Sequence, residues 1–505
     1  MPQHQKVFEE LCQFVRETSL LNSTLSLLGW DERTGLPKAA SEYRADQMTL
    51  LAGLIHRRRT DPQVGRWLDE LADSPLNAEK YSDTETVIRE LKREWNRQIK
   101  LPAPLIEKLT HASVRGQHFW QEARRQDDFK IFQPALEEII GLKQQEADAL
   151  EFTTCRYDAL LEEYEPYETT SNVRIILEGL RDELVPFVHT IMGCEKTPEN
   201  AFLTKHYPIG DQKRLGRQVA ETLGFDFSRG RLDTTVHPFC SSLAPHDTRI
   251  TTRYDAYRFP TAFFGILHEA GHGIYEQGLR ADWYGLPPGE TISLGIHESQ
   301  SRLWENQVGR SLDFWKYHFS LLQSYFPTVL ERVSLDCFYA AINDVRPSLI
   351  RVEADEATYN LHILIRFELE QAMLNGDLAV RDLPEAWNRK YQDDLGICPQ
   401  NVAEGVLQDI HWSSGAIGYF PTYALGNVYS AQFFGHATED LGGCGTDFSE
   451  GQFEPLRRWL KQNIHLTGKC YSARELVHRI TGKELSHTYL VDYLKNKLSP
   501  LYGLS

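Results

Sequence analysis

The sequence predicts a mainly α-helical fold with a small β element, built as one continuous 505-residue unit. Three observations predict it. Apolar residues recur at three- and four-residue spacing over long windows, the period of a helix with one buried face. Alternating β-branched runs are lacking from those windows, and Pro and Gly fall mostly between the periodic segments. No Gly/Ser/Pro-rich linker, low-complexity tract or repeat of about 20–50 residues divides the chain into independent domains. With 41% apolar residues the chain buries a full core without staples, and its size suits two lobes around a cleft.

The N-terminal part, 1–222, is helical: Phe8, Leu11, Phe14 and Val15 open the pattern. Ile106, Leu109 and Val114 continue it, followed by Phe132, Leu136, Ile139, Ile140 and Leu142. Residues 223–260 break it with Thr, Arg, aromatics and turn residues, which predict short strands or a hairpin. From 261 to 505 the helical pattern returns. The run FFGILHEAGHGIYEQG reads as a helix preceded by Pro260 and followed by Gly278. Residues 281–296 read as a loop between two helices, and 74–86 and 438–452 as exposed loops.

Charge and cysteine usage exclude several classes. The 54 basic residues face 71 acidic ones, a net charge of −17, which opposes phosphate backbones. Neither nucleic acid nor a membrane is an expected partner. The longest apolar stretches, such as Phe259 to Leu267, fall short of the roughly 18–20 residues of a spanning helix. The N-terminus carries acids early and has no apolar segment of a secretory signal. Eight cysteines lie far apart with no CxxC pair, as expected of reduced thiols in a soluble, cytoplasmic protein.

The strongest chemical signal is His268-Glu269-Ala270-Gly271-His272. Two histidines four apart on a helix differ by about 40° and share one face, where both can close on one zinc. Glu269 lies about 100° further round, placed to serve as general base for an attacking water instead of ligating. Glu298, 26 residues after His272 on the next predicted helix, supplies the third ligand of a catalytic site. Its neighbour His297 is expected to support the site or the fold. A closed structural zinc would favour cysteine, and the nearest one, Cys240, belongs to the preceding segment. Cys240 has no evident base and reads as a buried thiol.

Six short motifs then follow one another in the order of a known family. They are His237-Pro238-Phe239, Asp247-Thr248-Arg249-Ile250-Thr251, the His268–His272 motif, and His297-Glu298-Ser299-Gln300. The last two are Ile350-Arg351-Val352-Glu353-Ala354-Asp355 and Gly405-Val406-Leu407-Gln408-Asp409-Ile410-His411-Trp412. With Trp30-Asp31 and the YDALLEEYEP segment at 157–166, the chain resembles the carboxypeptidase Taq family of zinc metallocarboxypeptidases over nearly its whole length. The resemblance implies a helical zincin with a deep cleft, similar to angiotensin-converting enzyme and neurolysin, spanning 1–505 as one peptidase unit. It also implies a homodimer that releases single C-terminal residues from peptides, with broad tolerance and poor cleavage at proline.

An exopeptidase must bind a free carboxylate, which arginine grips through its planar fork. Arg351 leads within its motif; Arg249, Arg253 and Arg346 compete, and each has a salt bridge as its alternative. His237 and His411 could donate to a substrate carbonyl or orient a carboxylate, or be satisfied core residues. Asp247 and Gln408 are assigned to substrate binding through their motifs. A phenol near the zinc can stabilise the oxyanion. Similarity to the helical zincins suggests Tyr419 or Tyr423, Tyr419 preferred, with aromatic packing the equal alternative. One zinc per subunit is expected, and cobalt is able to replace it. Two rival readings share these residues: a zinc oligoendopeptidase on the same scaffold, and a non-catalytic helical zinc-binding scaffold.

Overall fold

The computed structural model describes residues 2–504. Helices hold 70% of the chain and strands 3%, which is the mainly helical class with a small β element. The N-terminal region builds α1 (Pro2–Thr34), α2 (Ser41–Arg59), α3 (Pro62–Ala72) and α4 (Asp83–Lys100). Asp61 and Ser82 begin α3 and α4 by accepting backbone N–H groups that have no partner inside the helix. Phe8 and Leu11 of α1, Leu68 of α3 and Ile88 of α4 form a small core of their own, closed by the distant Leu286.

Next come α5 (Ala103–Gln126), α6 (Phe129–Leu150), α7 (Arg156–Leu161), α8 (Thr170–Met192) and α9 (Ile209–Leu223). They lead into the strands expected within 223–260: β1 (Gly230–Thr234), β2 (Cys240–Ala244) and β3 (Asp247–Thr252). β3 is central, parallel to β1 and antiparallel to β2. Its period of two turns Thr248, Ile250 and Thr252 into the core. Asp247 and Arg249 share the other face, where Arg249 lies over Trp30 of α1.

α10 (Phe259–Gly278) packs on this sheet. A Cβ at Gly273 would lie 2.5 Å from Phe225 and 3.2 Å from Ile250, so only glycine allows the approach. Pro260, expected to precede the helix, sits in its first turn, where its missing N–H costs nothing. α11 (Leu294–Arg302) begins inside the stretch expected as loop, and Leu294 to Ile296 are already helical. The cause is local: Ser293 accepts the Ile296 N–H at 3.1 Å, and buried Glu165 accepts that of Gly295. α11 runs on into a π-helical turn, Leu303–Val308.

The remaining helices are α12 (Leu312–Tyr325), α13 (Pro327–Leu330), α14 (Leu335–Ile342), α15 (Tyr359–Asn375) and α16 (Leu383–Leu395). After them come α17 (Pro421–Asp440), α18 (Gly445–Ser449), α19 (Glu454–Asn463), α20 (Ala473–Thr481) and α21 (Thr488–Tyr502). The stretch 438–452, expected as an exposed loop, holds the end of α17 and all of α18. It folds inward because Cys444 and Phe448 are buried. Two glycines position α11 between its neighbours. A Cβ at Gly271 of α10 would lie 2.6 Å from the Gln300 carbonyl oxygen. One at Gly426 of α17 would lie 2.5 Å from the Glu298 side chain.

Candidate metal centre

α10 and α11 bring His268, His272 and Glu298 together, with one ligand atom from each lying within 4.8 Å of the others. The imidazole Nε2 atoms stand 3.5 and 3.4 Å from the same carboxylate oxygen, Glu298 Oε2. Two imidazole nitrogens and one carboxylate oxygen at this spacing fit a single divalent ion of the zinc type, with a position left over for solvent. Burial lowers the His272 ring to about 3, so it stays neutral and keeps a lone pair for a metal. Burial alone would raise Glu298; the Arg302 guanidinium and the two rings outweigh it and hold the carboxyl well below its usual range.

Glu269 is buried on the same helix, and its Oε2 has no hydrogen-bond partner among the described residues. Burial pushes its carboxyl up to about 7, the range suited to passing a proton at neutral pH.

A ring of further side chains orients the three candidate ligands, and only His297 was foreseen among them. Glu305 Oε2 lies 2.9 Å from His268 Nδ1. His297 Nδ1 lies 2.5 Å from His272 Nδ1, and its Nε2 lies 2.8 Å from Glu276 Oε1. Arg302 donates to Glu298 Oε1 at 2.7 Å and to Glu305 Oε2 at 3.3 Å. The spacing of Glu298 and Arg302 is an ordinary i,i+4 pair and could have been read. Glu305 sits in the π turn, whose altered geometry a 3.6-residue period does not anticipate. Beyond Glu276 a polar cavity of about 310 Å³ opens against α1, lined by Ser23, Ser242, Arg280 and Lys469.

A second buried cluster forms around Arg351. Its Nε and Nη2 both donate to Asp409 Oδ1, at 3.1 and 2.8 Å, and its Nη1 donates to Tyr359 at 3.0 Å. The fork expected to be open for a substrate is thus closed on a protein carboxylate, and Arg366 holds the other Asp409 oxygen at 2.7 Å. Gln408 accepts the Arg351 N–H at 2.9 Å and donates to the Leu349 carbonyl at 2.9 Å, fixing the backbone of this turn. His411 Nε2 meets the Tyr423 hydroxyl at 3.2 Å, and burial lowers its ring to about 4. Tyr419 stacks edge-on to Tyr423 at 5.3 Å, and burial raises both phenols, which therefore stay protonated at neutral pH.

The other candidates make none of the contacts that build these two clusters. Arg249 grips Asp247 through two bonds of 2.8 Å, the salt bridge weighed as its alternative. His237 is exposed in the connection from β1 to β2, Arg253 is exposed at the end of β3, and Arg346 pairs with Asp344 at 2.5 Å. Cys240 is a free thiol that burial raises well above its usual value.

Two helix-borne histidines, a glutamate from the next helix and an unpartnered buried glutamate beside them define a metallopeptidase of the His-Glu-x-x-His type. Comparison with known proteins gives the family. The family model for the carboxypeptidase Taq (M32) metallopeptidases matches residues 10–498. The chain is 43% identical to thermostable carboxypeptidase 1 of Thermus thermophilus, over 99% of both chains. It is 39% identical to carboxypeptidase 1 of Bacillus subtilis, over 98% of this chain and 99% of that one. Among solved structures, the M32 carboxypeptidase of Deinococcus radiodurans superposes with a TM-score of 0.96 at 38% identity, covering 99% of this chain and all of that one. The chain belongs to the carboxypeptidase Taq (M32) family and is a metallocarboxypeptidase.

Proposed function

We propose that the protein removes single residues from the free C-termini of peptides, with broad side-chain tolerance and poor cleavage at terminal proline. His268, His272 and Glu298 hold one zinc per subunit, and cobalt is able to replace it. When bound, the ion supplies Lewis acidity and a water ionisable near neutral pH. Glu269 takes the proton of the attacking water on Oε2 and returns it to the leaving amine. Tyr419 or Tyr423 donates a hydrogen bond to the carbonyl oxygen as charge builds on it, and His411 holds the Tyr423 hydroxyl. One observation carries this reading: the orphaned Glu269 Oε2 beside three converging ligand atoms.

The Arg351–Arg366–Asp409 group has one guanidinium in excess, which favours a substrate carboxylate nearby. Direct contact with Arg351 requires its bond to Tyr359, or one bond to Asp409, to open. His237, Asp247, Arg249 and Gln408 are assigned to substrate binding through their motifs, and Gln408 also braces the Arg351 turn. Mass spectrometry of a peptide digest tests the register: a one-residue ladder from the C-terminus is expected, with a C-terminally amidated peptide left nearly intact. Internal cleavage of the amide would make this an oligoendopeptidase, and no cleavage of either would leave a binding scaffold.

The proposal extends to a cytoplasmic homodimer. No described helix is long and apolar enough to cross a membrane. α1 and α2 expose Leu20, Leu27, Tyr43, Leu50 and Leu54, apolar surface that a second copy would cover. Light scattering on the eluting protein should give twice the 58.1 kDa chain mass.

A further inference from the structure

The two oxygens of Glu298 have different partners. Oε2 faces both imidazole Nε2 atoms, at 3.5 and 3.4 Å, and accepts Ser301 Oγ at 3.0 Å. Oε1 turns away and accepts Arg302 Nε at 2.7 Å. The same guanidinium reaches Glu305 Oε2 at 3.3 Å, the oxygen that orients His268. Arg302 is itself held in place. Its side chain is only 15% exposed and lies over the Tyr359 ring at 4.5 Å.

We infer that Arg302 is a positioning residue that reserves one oxygen of Glu298 for itself and so commits the carboxylate to the metal through the other alone. A carboxylate free at both oxygens can take two positions on a divalent ion. That would crowd the position an attacking water needs, since catalytic zinc sites work with three protein ligands and one open place. Arg302 also joins the two carboxylates that approach His268 from opposite ends of its ring. With Arg310, 3.5 Å from Glu305 Oε1, it balances Glu298 and Glu305 charge for charge. This inference rests on the metal assignment proposed above and adds a residue that touches neither metal nor peptide.

The test uses the full chain loaded with cobalt, whose visible absorption is strong in four-coordinate sites and weak at higher coordination. Arg302→Gln should still bind cobalt, and its band should weaken, while kcat falls about 10- to 100-fold. Arg302→Lys, which keeps the charge but lacks the planar fork, should recover part of both. An unchanged band in Arg302→Gln, whatever happens to kcat or affinity, overturns the inference, because a merely structural role would leave coordination alone. Thermal melting of the metal-free variant checks folding; if Arg302→Gln does not fold, the band of Arg302→Lys decides by the same criterion. Failure of the underlying metal assignment looks different: wild-type protein would then give no cobalt band that Glu298→Ala removes.

Discussion

Tyr359 touches two groups of buried charge: its ring lies beneath Arg302 at 4.5 Å, and its hydroxyl accepts Arg351 at 3.0 Å. On the Arg302 side, Glu298 and Glu305 meet Arg302 and Arg310 charge for charge, and the excess is the carboxyl of Glu269, which burial raises to about 7 and leaves only partly ionised at neutral pH. On the Arg351 side, Arg351 and Arg366 share the single carboxylate Asp409, and His411 is neutral, so one base is left over. Glu370, one turn on from Arg366, is raised to about 7 by burial and offsets that excess only in part. Burying unbalanced charge is expensive unless a partner arrives. The signs of the two excesses suit a cation on one side and a carboxylate on the other.

The largest expected effect breaks the acidic side. Glu269→Gln should keep its metal yet lose about 10²–10⁴ in turnover, because an amide accepts no proton. Metal analysis alongside kcat checks it, and wild-type turnover in the metal-loaded variant would remove Glu269 from the chemistry. On the basic side, Asp409→Asn strips the counter-ion from two buried guanidiniums. A loss of about 3–5 kcal/mol of stability is expected in chemical denaturation, as for other buried pairs left half-made. A loss within 1 kcal/mol would mean that the two guanidiniums are solvated and not held by Asp409.

Arg351→Met sharpens the same side by removing the excess instead of the counter-charge. It should cost roughly 2–5 kcal/mol in kcat/KM for free-acid peptides and little for amidated ones. The acid-to-amide ratio should then fall toward one. If the ratio persists, the carboxylate is recognised by a group other than Arg351.

The smallest expected effect comes from a buried base outside both clusters. His318 stacks between Phe314 and Phe453, and burial lowers its pKa from 6.5 to about 4. Below pH 6.5 the unfolded chain takes up this proton while the folded one does not. Stability is therefore full above that pH and falls as pH drops toward 4. At pH 5 the loss is about 2 kcal/mol, and His318→Phe should abolish that part of the acid slope. An unchanged slope in denaturation curves at pH 7 and pH 5 would place a proton on the folded ring.

Sequence periodicity carried most of the helical fold and the core of the candidate metal site. His268 and His272 are four apart on one helix, and 3.6 residues per turn settles their shared face before any packing is known. The start of α11 was less legible, because its cap depends on Glu165, which lies 130 residues away from Gly295. Glu305 was missed for a different reason. Its approach to His268 passes through a π turn, and no pattern in Leu303–Val308 announces that turn.

The residues themselves determined a helical, acidic chain with a His-Glu-x-x-His helix and a candidate glutamate ligand one element later. These depend on short-range geometry, where one helix relates neighbours by fixed angles. Only the tertiary structure decided that Arg351 is closed on Asp409, 58 residues on, that Arg366 shares that carboxylate, and that Gln408 braces the turn. It also decided that α11 lies close enough to α10 and α17 for Glu298 to meet both histidines, through Gly271 and Gly426. A fork's partner depends on which carboxylate packing brings within about 3 Å, and that distance is set by the whole core.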